Sequence, residues 1–157
     1  MIYINRDTLL AQCRLFTKTC LFLSNDWTEE RIKRLLISHI QYYVARGVKI
    51  YYIGKTMKEC DQMGDSLNLS KKSINEILYT IPCNQYLEIY GDMLDYQVII
   101  INAVECLPHN FCIPIHRDER QTILLITESR ESREIAEKDG FRIISCASLN
   151  DNTYLFI

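Results

Sequence analysis

The sequence predicts an α/β fold, in which a mostly parallel sheet of about six strands is flanked by helices and an antiparallel strand lies at the C-terminal edge. An apolar run at residues 20–23 is followed by an amphipathic segment at 27–46 and by a second apolar run at 48–53, which is the order strand, helix, strand. Two later runs, 98–101 and 122–127, are continuously apolar, as strands buried on both faces of a parallel sheet are. Two strands joined by one helix most simply form a parallel crossover, so we expect a single α/β sheet.

Local signals mark both ends of the long helix. Asp26, with Glu29 three residues later, is an acidic variant of the capping box and predicts a helix start near Trp27. Gly47 stands where the helix needs a residue at positive φ in order to end. Between these points apolar residues repeat at three- and four-residue spacings, which predicts one buried face. They are Ile32, Leu35, Leu36, Ile40, Tyr43 and Val44.

Four further segments are predicted to be helices. Residues 7–16 form a short helix before the first strand, and residues 55–65 form a polar helix after the second. Residues 85–94 carry an apolar stripe at helical spacing. Residues 130–138 are charged and are followed by Gly140, which indicates a surface helix.

Three more segments are predicted to be strands. Residues 76–81 precede a proline and could be a strand or the end of a helix, of which a strand is favoured. Residues 141–146 follow the charged helix. After a turn at 150–152, residues 154–157 are expected to return as the antiparallel edge strand. Residues 105–119 contain two prolines and no periodicity, so they are interpreted as an irregular connection.

Composition limits the classes of function. A chain of 157 residues is expected to form one domain, 1–157, with a sizeable core. The net charge is −2 with both signs interspersed, which makes a nucleic-acid partner unlikely. No signal-like start and no membrane-length apolar run is present, so we expect a cytoplasmic protein without membrane insertion. The seven cysteines are an odd number and some lie in strand-like runs, which favours buried thiols over disulfides.

Gly54, Lys55 and Thr56 have the order that ends a phosphate-binding loop. A complete loop reads G-x-x-x-x-G-K-[ST], because its first glycine and its backbone N–H groups surround the phosphates. Lys49, in a predicted strand, stands five residues before Gly54 where that glycine is required. The alternative interpretation is a strand end followed by a helix start.

Four residues could bind zinc: Cys106, His109, Cys112 and His116. Thiolate and imidazole are the usual tetrahedral zinc ligands, although the C-x2-H-x2-C-x3-H spacing is not that of a standard finger. The same residues could form an ordinary packed loop, or a cysteine could pair with a histidine as a nucleophile.

Other polar residues have simpler explanations. Glu29 and Glu30 fall at a helix start, where carboxylates stabilise the helix dipole. His39 lies near the apolar stripe and is interpreted as a packed core histidine. Glu128 follows a predicted buried strand, where α/β enzymes keep functional groups, but one carboxylate is not a site. Ten tyrosines, several near strand ends, offer amphipathic area suited to a protein interface.

In its order of elements the chain resembles the RecA/KaiC-type P-loop ATPase core. The strand at 20–23, the helix at 27–46 and the strands at 48–53, 98–101 and 122–127 correspond to that pattern. In that family the loop after the first strand binds phosphate, and here residues 23–28 read Leu-Ser-Asn-Asp-Trp-Thr without its glycines or lysine.

The resemblance also implies that the strand at 98–101 is the Walker B strand. Asn102 follows it in place of an acid, and Glu105 lies too far along to replace that acid. A protein with neither phosphate loop nor magnesium carboxylate is not expected to hydrolyse ATP. The chain therefore resembles degenerate, pseudo-ATPase members such as the SOS cell-division inhibitor SulA and the amino-terminal region of the cellulose-secretion regulator BcsE, which act by binding other proteins.

These patterns predict a non-catalytic regulatory or scaffolding protein that binds another protein, with a homodimer formed through a sheet edge or a tyrosine-bearing surface as one form of that contact. One alternative is a nucleotide-binding protein or enzyme that uses Gly54, Lys55 and Thr56 together with Glu128. Another is a zinc-stabilised module at residues 106–116.

Overall fold

The structure is a computed structural model that describes residues 2–24, 26–67, 78–82, 97–106 and 121–157. Eight strands of these residues form one sheet. In chain order they are β1 (Tyr3–Ile4), β2 (Lys18–Leu23), β3 (Ile50–Gly54), β4 (Leu78–Pro82), β5 (Val98–Asn102), β6 (Thr122–Thr127), β7 (Arg142–Asn150) and β8 (Thr153–Phe156). The α-helices of the described residues are α1 (Arg6–Arg14), α2 (Glu29–Val44), α3 (Met57–Ser66) and α4 (Arg130–Lys138). A 3₁₀ turn covers Val104–Cys106.

The strands lie in the order β1-β8-β7-β2-β6-β5-β3-β4. The six from β7 to β4 pair in parallel, and β8 pairs antiparallel with β7. This confirms the predicted α/β class with its antiparallel C-terminal strand. The short strand β1, which was not predicted, pairs antiparallel with β8 on its other side, so that β1 and β8 form an antiparallel pair at this edge. A two-residue strand is too short to produce a detectable alternation of apolar and polar residues.

The first crossover does not connect neighbouring strands. Strands β6 and β5 both lie between β2 and β3, the two strands that α2 joins. A flavodoxin-like order would place the first two strands side by side, so the observed order excludes it. Parallel strands that run in one direction bring their carboxyl ends to one edge of the sheet, and the candidate site lies at that edge.

Helices cover both faces of the sheet. Helices α1, α2 and α3 contribute to a core cluster with alternate residues of the strands, including Leu21, Tyr52 and Ile100. The intervening strand residues form a second cluster with Ala136 of α4 on the opposite face. This alternation follows from the two-residue period of a strand and determines which side chains at the strand ends can meet.

Helix α2 begins later than predicted. Thr28 is its N-cap, and its hydroxyl accepts a hydrogen bond from the Arg31 N–H at 3.2 Å. The prediction of Asp26 as the cap was wrong, since Asp26 instead accepts a hydrogen bond from the Ser24 hydroxyl at 3.2 Å. The chain is still extended at Thr28 because Trp27 enters the core, which delays the first helical turn. Gly47 has a φ of 68°, which confirms the predicted helix end.

The other predicted elements agree in type with the structure where it describes them. The segments at 7–16, 55–65 and 130–138 are α1, α3 and α4, and 76–81 is β4. Strand β7 runs four residues past its predicted end at 146, to Asn150, because its pairing with β8 extends it. The predicted helix at 85–94 lies outside the described residues, as does most of the connection at 105–119.

Among the described residues, four thiols are buried, at Cys13, Cys20, Cys60 and Cys146, while Cys106 is exposed, and these five are free. Burial raises the pKa of the Cys13 and Cys20 thiols to about 12, so they behave as apolar groups in the core. This agrees with the interpretation of these residues as buried thiols. Among the described helices, none is both long and apolar enough to cross a bilayer.

Candidate functional site

The carboxyl ends of β3 and β5 carry polar side chains that meet on the face covered by α2 and α3. Tyr52 points to this face with the core residues of β3, and Asn102 follows Ile100 on the same side of β5. Both side chains are buried, so each requires a hydrogen-bond partner. Glu59, from the first turn of α3, supplies it.

The carboxylate of Glu59 accepts three hydrogen bonds. Its Oε1 accepts from the Asn102 amide nitrogen at 2.7 Å and from the Tyr52 hydroxyl, and its Oε2 accepts from the Lys55 N–H at 2.6 Å. Hydrogen bonds to an ionised acceptor are about twice as strong as neutral ones. Glu59 therefore fixes the ends of two strands to the start of one helix.

Thr56 and Gly54 have structural roles beside Glu59. The Thr56 hydroxyl accepts a hydrogen bond from the Glu59 N–H at 3.2 Å. The two residues form a variant of the capping box, in which the Glu59 carboxylate accepts from the Lys55 N–H rather than from the N–H of the cap residue. A Cβ on Gly54 would lie 2.9 Å from the Cys60 sulfur and 3.2 Å from Tyr52 Cε1. The glycine is thus required by close packing of α3 on β3, and the interpretation of the motif as a strand end followed by a helix start is confirmed.

The Tyr52 hydroxyl stays protonated. Burial raises its pKa well above the usual value, and the neighbouring Glu59 carboxylate raises it further because a phenolate there would face a like charge. The hydroxyl therefore acts as a permanent donor to Glu59 rather than as an acid or base.

A cavity of about 550 Å³ opens between the starts of α2 and α3. Carboxylates from α2, at Glu29 and Glu30, lie on its lining together with ammonium groups of both helices and of the β3–α3 turn. Its lining residues are Glu29, Glu30, Ile32, Lys33, Lys55, Thr56, Lys58, Glu59, Gln62, Met63 and Asn102. Such a mixed lining suits a small polar molecule that carries both donors and acceptors.

The turn after β2 is closed by Trp27. Its indole is 6% exposed, stacks on the Tyr154 ring with centroids 5.2 Å apart, and donates from Nε1 to the Cys146 carbonyl at 3.0 Å. The backbone N–H groups of Ser24 and Trp27 donate within the protein, to the carbonyls of Cys146 and Ser24. An apolar ring and the internally bonded amides of Ser24 and Trp27 thus fill this turn.

Glu105 lies on the other face of the sheet. It accepts a hydrogen bond from the Thr127 hydroxyl at 2.6 Å, and that hydroxyl in turn accepts from the Ser129 N–H at 3.0 Å. Thr127 shares its face with Leu125, opposite to the face of Asn102. The Glu105 carboxylate therefore connects the ends of β5 and β6 without joining the Glu59 group.

The remaining candidates are dispersed. His39 is buried under α2, where burial, together with the charge of Arg14, lowers its pKa to about 3, so it is a neutral core histidine as interpreted. Glu128 is exposed at the end of β6, and Cys106 is exposed in the 3₁₀ turn.

The other three candidate zinc ligands, at positions 109, 112 and 116, lie outside the described residues. Within the part of the chain that is described, no group of three or more His, Cys, Asp or Glu side chains could hold a metal ion.

Sequence reasoning missed the two residues that organise this edge. Glu59 had a signal, because Thr56 three residues earlier completes capping-box spacing just before a helix. Trp27 had none, since its partners Cys146 and Tyr154 are more than a hundred residues away.

No protein-family model and no curated protein matches the sequence. Among solved structures, the crystal structure of the flagellar accessory protein FlaH from Methanocaldococcus jannaschii is similar, with a TM-score of 0.56 and 18% sequence identity over 97% of this chain and 84% of that chain. At this identity the likeness concerns the fold. The sheet, its helices and this neighbour together show that the chain has a RecA-like α/β fold.

Proposed function

We propose that this protein is a non-catalytic regulatory or scaffolding protein of the cytoplasm that acts by binding another protein. In this proposal the RecA-like core has lost its nucleotide site and serves as a rigid support for a contact surface. The observation that carries the proposal is the burial of Trp27 in the turn after β2.

Phosphate binding at that turn would require several changes at once. The indole would have to leave its stack with Tyr154 and its hydrogen bond to Cys146, and loop amides would have to exchange internal acceptors for phosphate. Burial of an aromatic side chain of this size stabilises a fold by several kcal/mol, about 3–5 kcal/mol by truncation in other proteins. The closed turn is therefore the stable state.

Charge at the start of α2 also opposes phosphate. A free helix N-terminus attracts anions, but this one already has a threonine cap and two carboxylates, Glu29 and Glu30, in its first turn. Asp26 adds a third carboxylate just before it. A triphosphate here would meet three like charges.

The position of the magnesium acid supports the same proposal. Asn102 ends the strand that corresponds to Walker B, and its amide nitrogen is committed to Glu59. The carboxylate of Glu59 itself already accepts three hydrogen bonds and holds α3 to the sheet. ATP hydrolysis in the resembled family depends on a carboxylate at the end of this strand that binds magnesium. Asn102 carries an amide there instead.

The test is a thermal-shift titration of the purified protein with saturating ATP and magnesium, for which no shift is expected. A concentration-dependent rise in Tm would contradict the proposal. In parallel, affinity capture from the native host, followed by light scattering of the reconstituted complex, is expected to yield a stoichiometric protein partner. A protein that stays alone and monomeric would favour the small-molecule alternative.

A second candidate is a small-molecule binder or enzyme that uses the cavity between α2 and α3. The observation that favours it is the volume of about 550 Å³ with Lys55 and Thr56 in its lining. In that case Lys55→Ala would abolish a ligand-induced thermal shift while leaving the unliganded Tm unchanged. A zinc-stabilised segment at 106–116 is tested separately, by elemental analysis of the purified protein.

A further inference from the structure

A group of arginine and aromatic side chains lies at the amino-terminal edge of the parallel strands, opposite to the cavity. It includes Arg14 at the end of α1, Tyr42 in the last turn of α2 and Arg46 just beyond that helix. Arg142 starts β7 at the same edge, beside the start of β2. We call this group, together with Leu15 and Phe16, the arginine–aromatic patch.

Two guanidinium groups enclose the ring of Tyr42. The Cζ atoms of Arg14 and Arg46 each lie 3.5 Å from its centroid. Two groups cannot occupy the same position above one face, so they stack on opposite faces of the ring. The Arg46 guanidinium also donates to the Tyr42 carbonyl at 2.7 Å, which holds it in place.

Arg142 and Phe16 extend the patch. The Arg142 guanidinium lies 4.5 Å from the Phe16 centroid and donates to Gln12 Oε1 at 3.3 Å. Arg142 is thus held against α1, the helix whose last residue is Arg14. Leu15 and Phe16 beside them are 63% and 51% exposed.

The arginines of the patch have no carboxylate partner among the described residues. The ion pairs found among the described residues are made by Arg31 and Arg34, which lie near the other end of α2. Arg14 and Arg46 are thus held close together on one ring, and no ion pair with a described carboxylate offsets their mutual repulsion. A group of anions of matching spacing would remove that cost.

We infer that the arginine–aromatic patch binds an acidic segment of a partner protein, whose carboxylates pair with Arg14, Arg46 and Arg142 while an apolar side chain packs on Leu15 and Phe16. Arginine and aromatic residues are the types that concentrate binding energy at protein interfaces. A stacked guanidinium is already ordered, so it loses little conformational entropy when it binds a carboxylate. This inference rests on the proposed function and names the surface and the chemistry of the partner.

A nucleic acid fits the patch less well than an acidic protein segment. Single-stranded nucleic acids are held by bases that stack on open aromatic faces, and both faces of Tyr42 are covered. The net charge of the whole chain is −2, which opposes long-range attraction of a polyanion.

The experiment is a selection of random peptides displayed on phage against the immobilised full chain, with the best peptide then synthesised and titrated by fluorescence anisotropy. We expect enrichment of sequences that combine several Asp or Glu residues with an aromatic or leucine residue. Arg46→Glu and Arg142→Glu are each expected to weaken binding of that peptide about tenfold or more. Lys138→Glu, an exposed charge reversal on α4, is the matched control and should leave the affinity unchanged.

Three outcomes would overturn the inference. The first is a selection that does not enrich acidic peptides. The second is a selected peptide that binds the Arg46→Glu and Arg142→Glu variants as tightly as it binds wild type. The third is single-stranded DNA or phosphatidylserine vesicles that bind the same arginines more tightly than the selected peptide does. Both substituted positions are exposed, and circular dichroism melting of each variant checks that it is folded. A captured native partner that binds wild type and the patch variants equally would contradict this inference but not the proposed function. An ATP-induced rise in Tm would contradict the proposed function.

Discussion

Two turns lead from a parallel strand into a helix on the same face of the sheet, one after β2 and one after β3. Both end in a threonine cap, with Thr28 accepting from Arg31 N–H at 3.2 Å and Thr56 accepting from Glu59 N–H at 3.2 Å. The first turn is filled by the buried indole of Trp27. The second borders a cavity of about 550 Å³.

The difference shows that a cap and the space next to it are determined separately. A cap residue sets where the helix begins, through one hydrogen bond to the first turn. Whether a crevice remains depends on the side chains around the turn: an indole in one case, and Gly54 with a carboxylate bound to the strand ends in the other. The motif that looks like a phosphate loop is thus at the turn after β3, not at the turn where the resembled family binds phosphate.

The largest effect is expected from removing the ring that closes the first turn. Trp27→Ala should lower the free energy of unfolding by about 3–5 kcal/mol, because it empties a buried site and removes one of the two donors to the Cys146 carbonyl. Urea denaturation measures this. Trp27→Phe, which retains a ring but not the N–H group, is the control and should cost less; equal losses would mean that ring packing contributes nothing.

At the second turn the sharpest change is the addition of one methyl group. Gly54→Ala should cost about 1–3 kcal/mol, because the new Cβ would lie 2.9 Å from the Cys60 sulfur. Adding Cys60→Ala should recover part of that loss in a double-mutant cycle. Gly47→Ala is the contrasting control: its cost arises from a φ of 68° in open space, and Cys60→Ala should not relieve it. Rescue of both variants would exclude the close-packing explanation.

A fall in pH should reveal the buried histidine of α2. On the inner face of α2, burial lowers the pKa of His39 to about 3. As the pH falls through about 6.5, His39 therefore binds a proton in the unfolded chain but not in the folded chain. The contribution of His39 to the free energy of unfolding is therefore fully present above pH 6.5 and is lost at up to about 1.4 kcal/mol per pH unit as the pH falls below 6.5. Urea midpoints of wild type and His39→Leu between pH 7 and pH 5 measure this, and parallel curves would contradict it.

The smallest effects concern the caps. Thr28→Ala and Thr56→Ala should each cost about 1 kcal/mol, since each removes one acceptor at a helix start. We expect the larger loss for Thr56→Ala, because its partner Glu59 also anchors Tyr52 and Asn102. Thr→Ser at each position retains the hydroxyl and is the control. A larger loss at Thr28 would show that the Glu59 group does not depend on its cap.

Most described elements were predictable because their signals are local. The apolar run that became β5, the stripe of α2 and the glycine that ends α2 at Gly47 each lie within one segment. The cap of α2 was predicted at Asp26, two residues before its true position at Thr28. The side chain of Trp27 between them is buried through contacts with residues far away in the chain, which the local pattern does not record. Strand β1 was missed because two residues carry no period.

By itself, the sequence determined the α/β class, the order of the described helices and strands from α1 to β8, and the lack of phosphate-loop residues after the strand at 20–23. Periodicity and motif identity are properties of short segments. Only the tertiary structure decided that β6 and β5 separate β2 from β3, that Glu59 joins two strand ends, and that Arg14 and Arg46 enclose Tyr42. The physical reason is that these features are contacts between residues far apart in the chain. Their geometry is set by how helices and sheet pack, which no local pattern records.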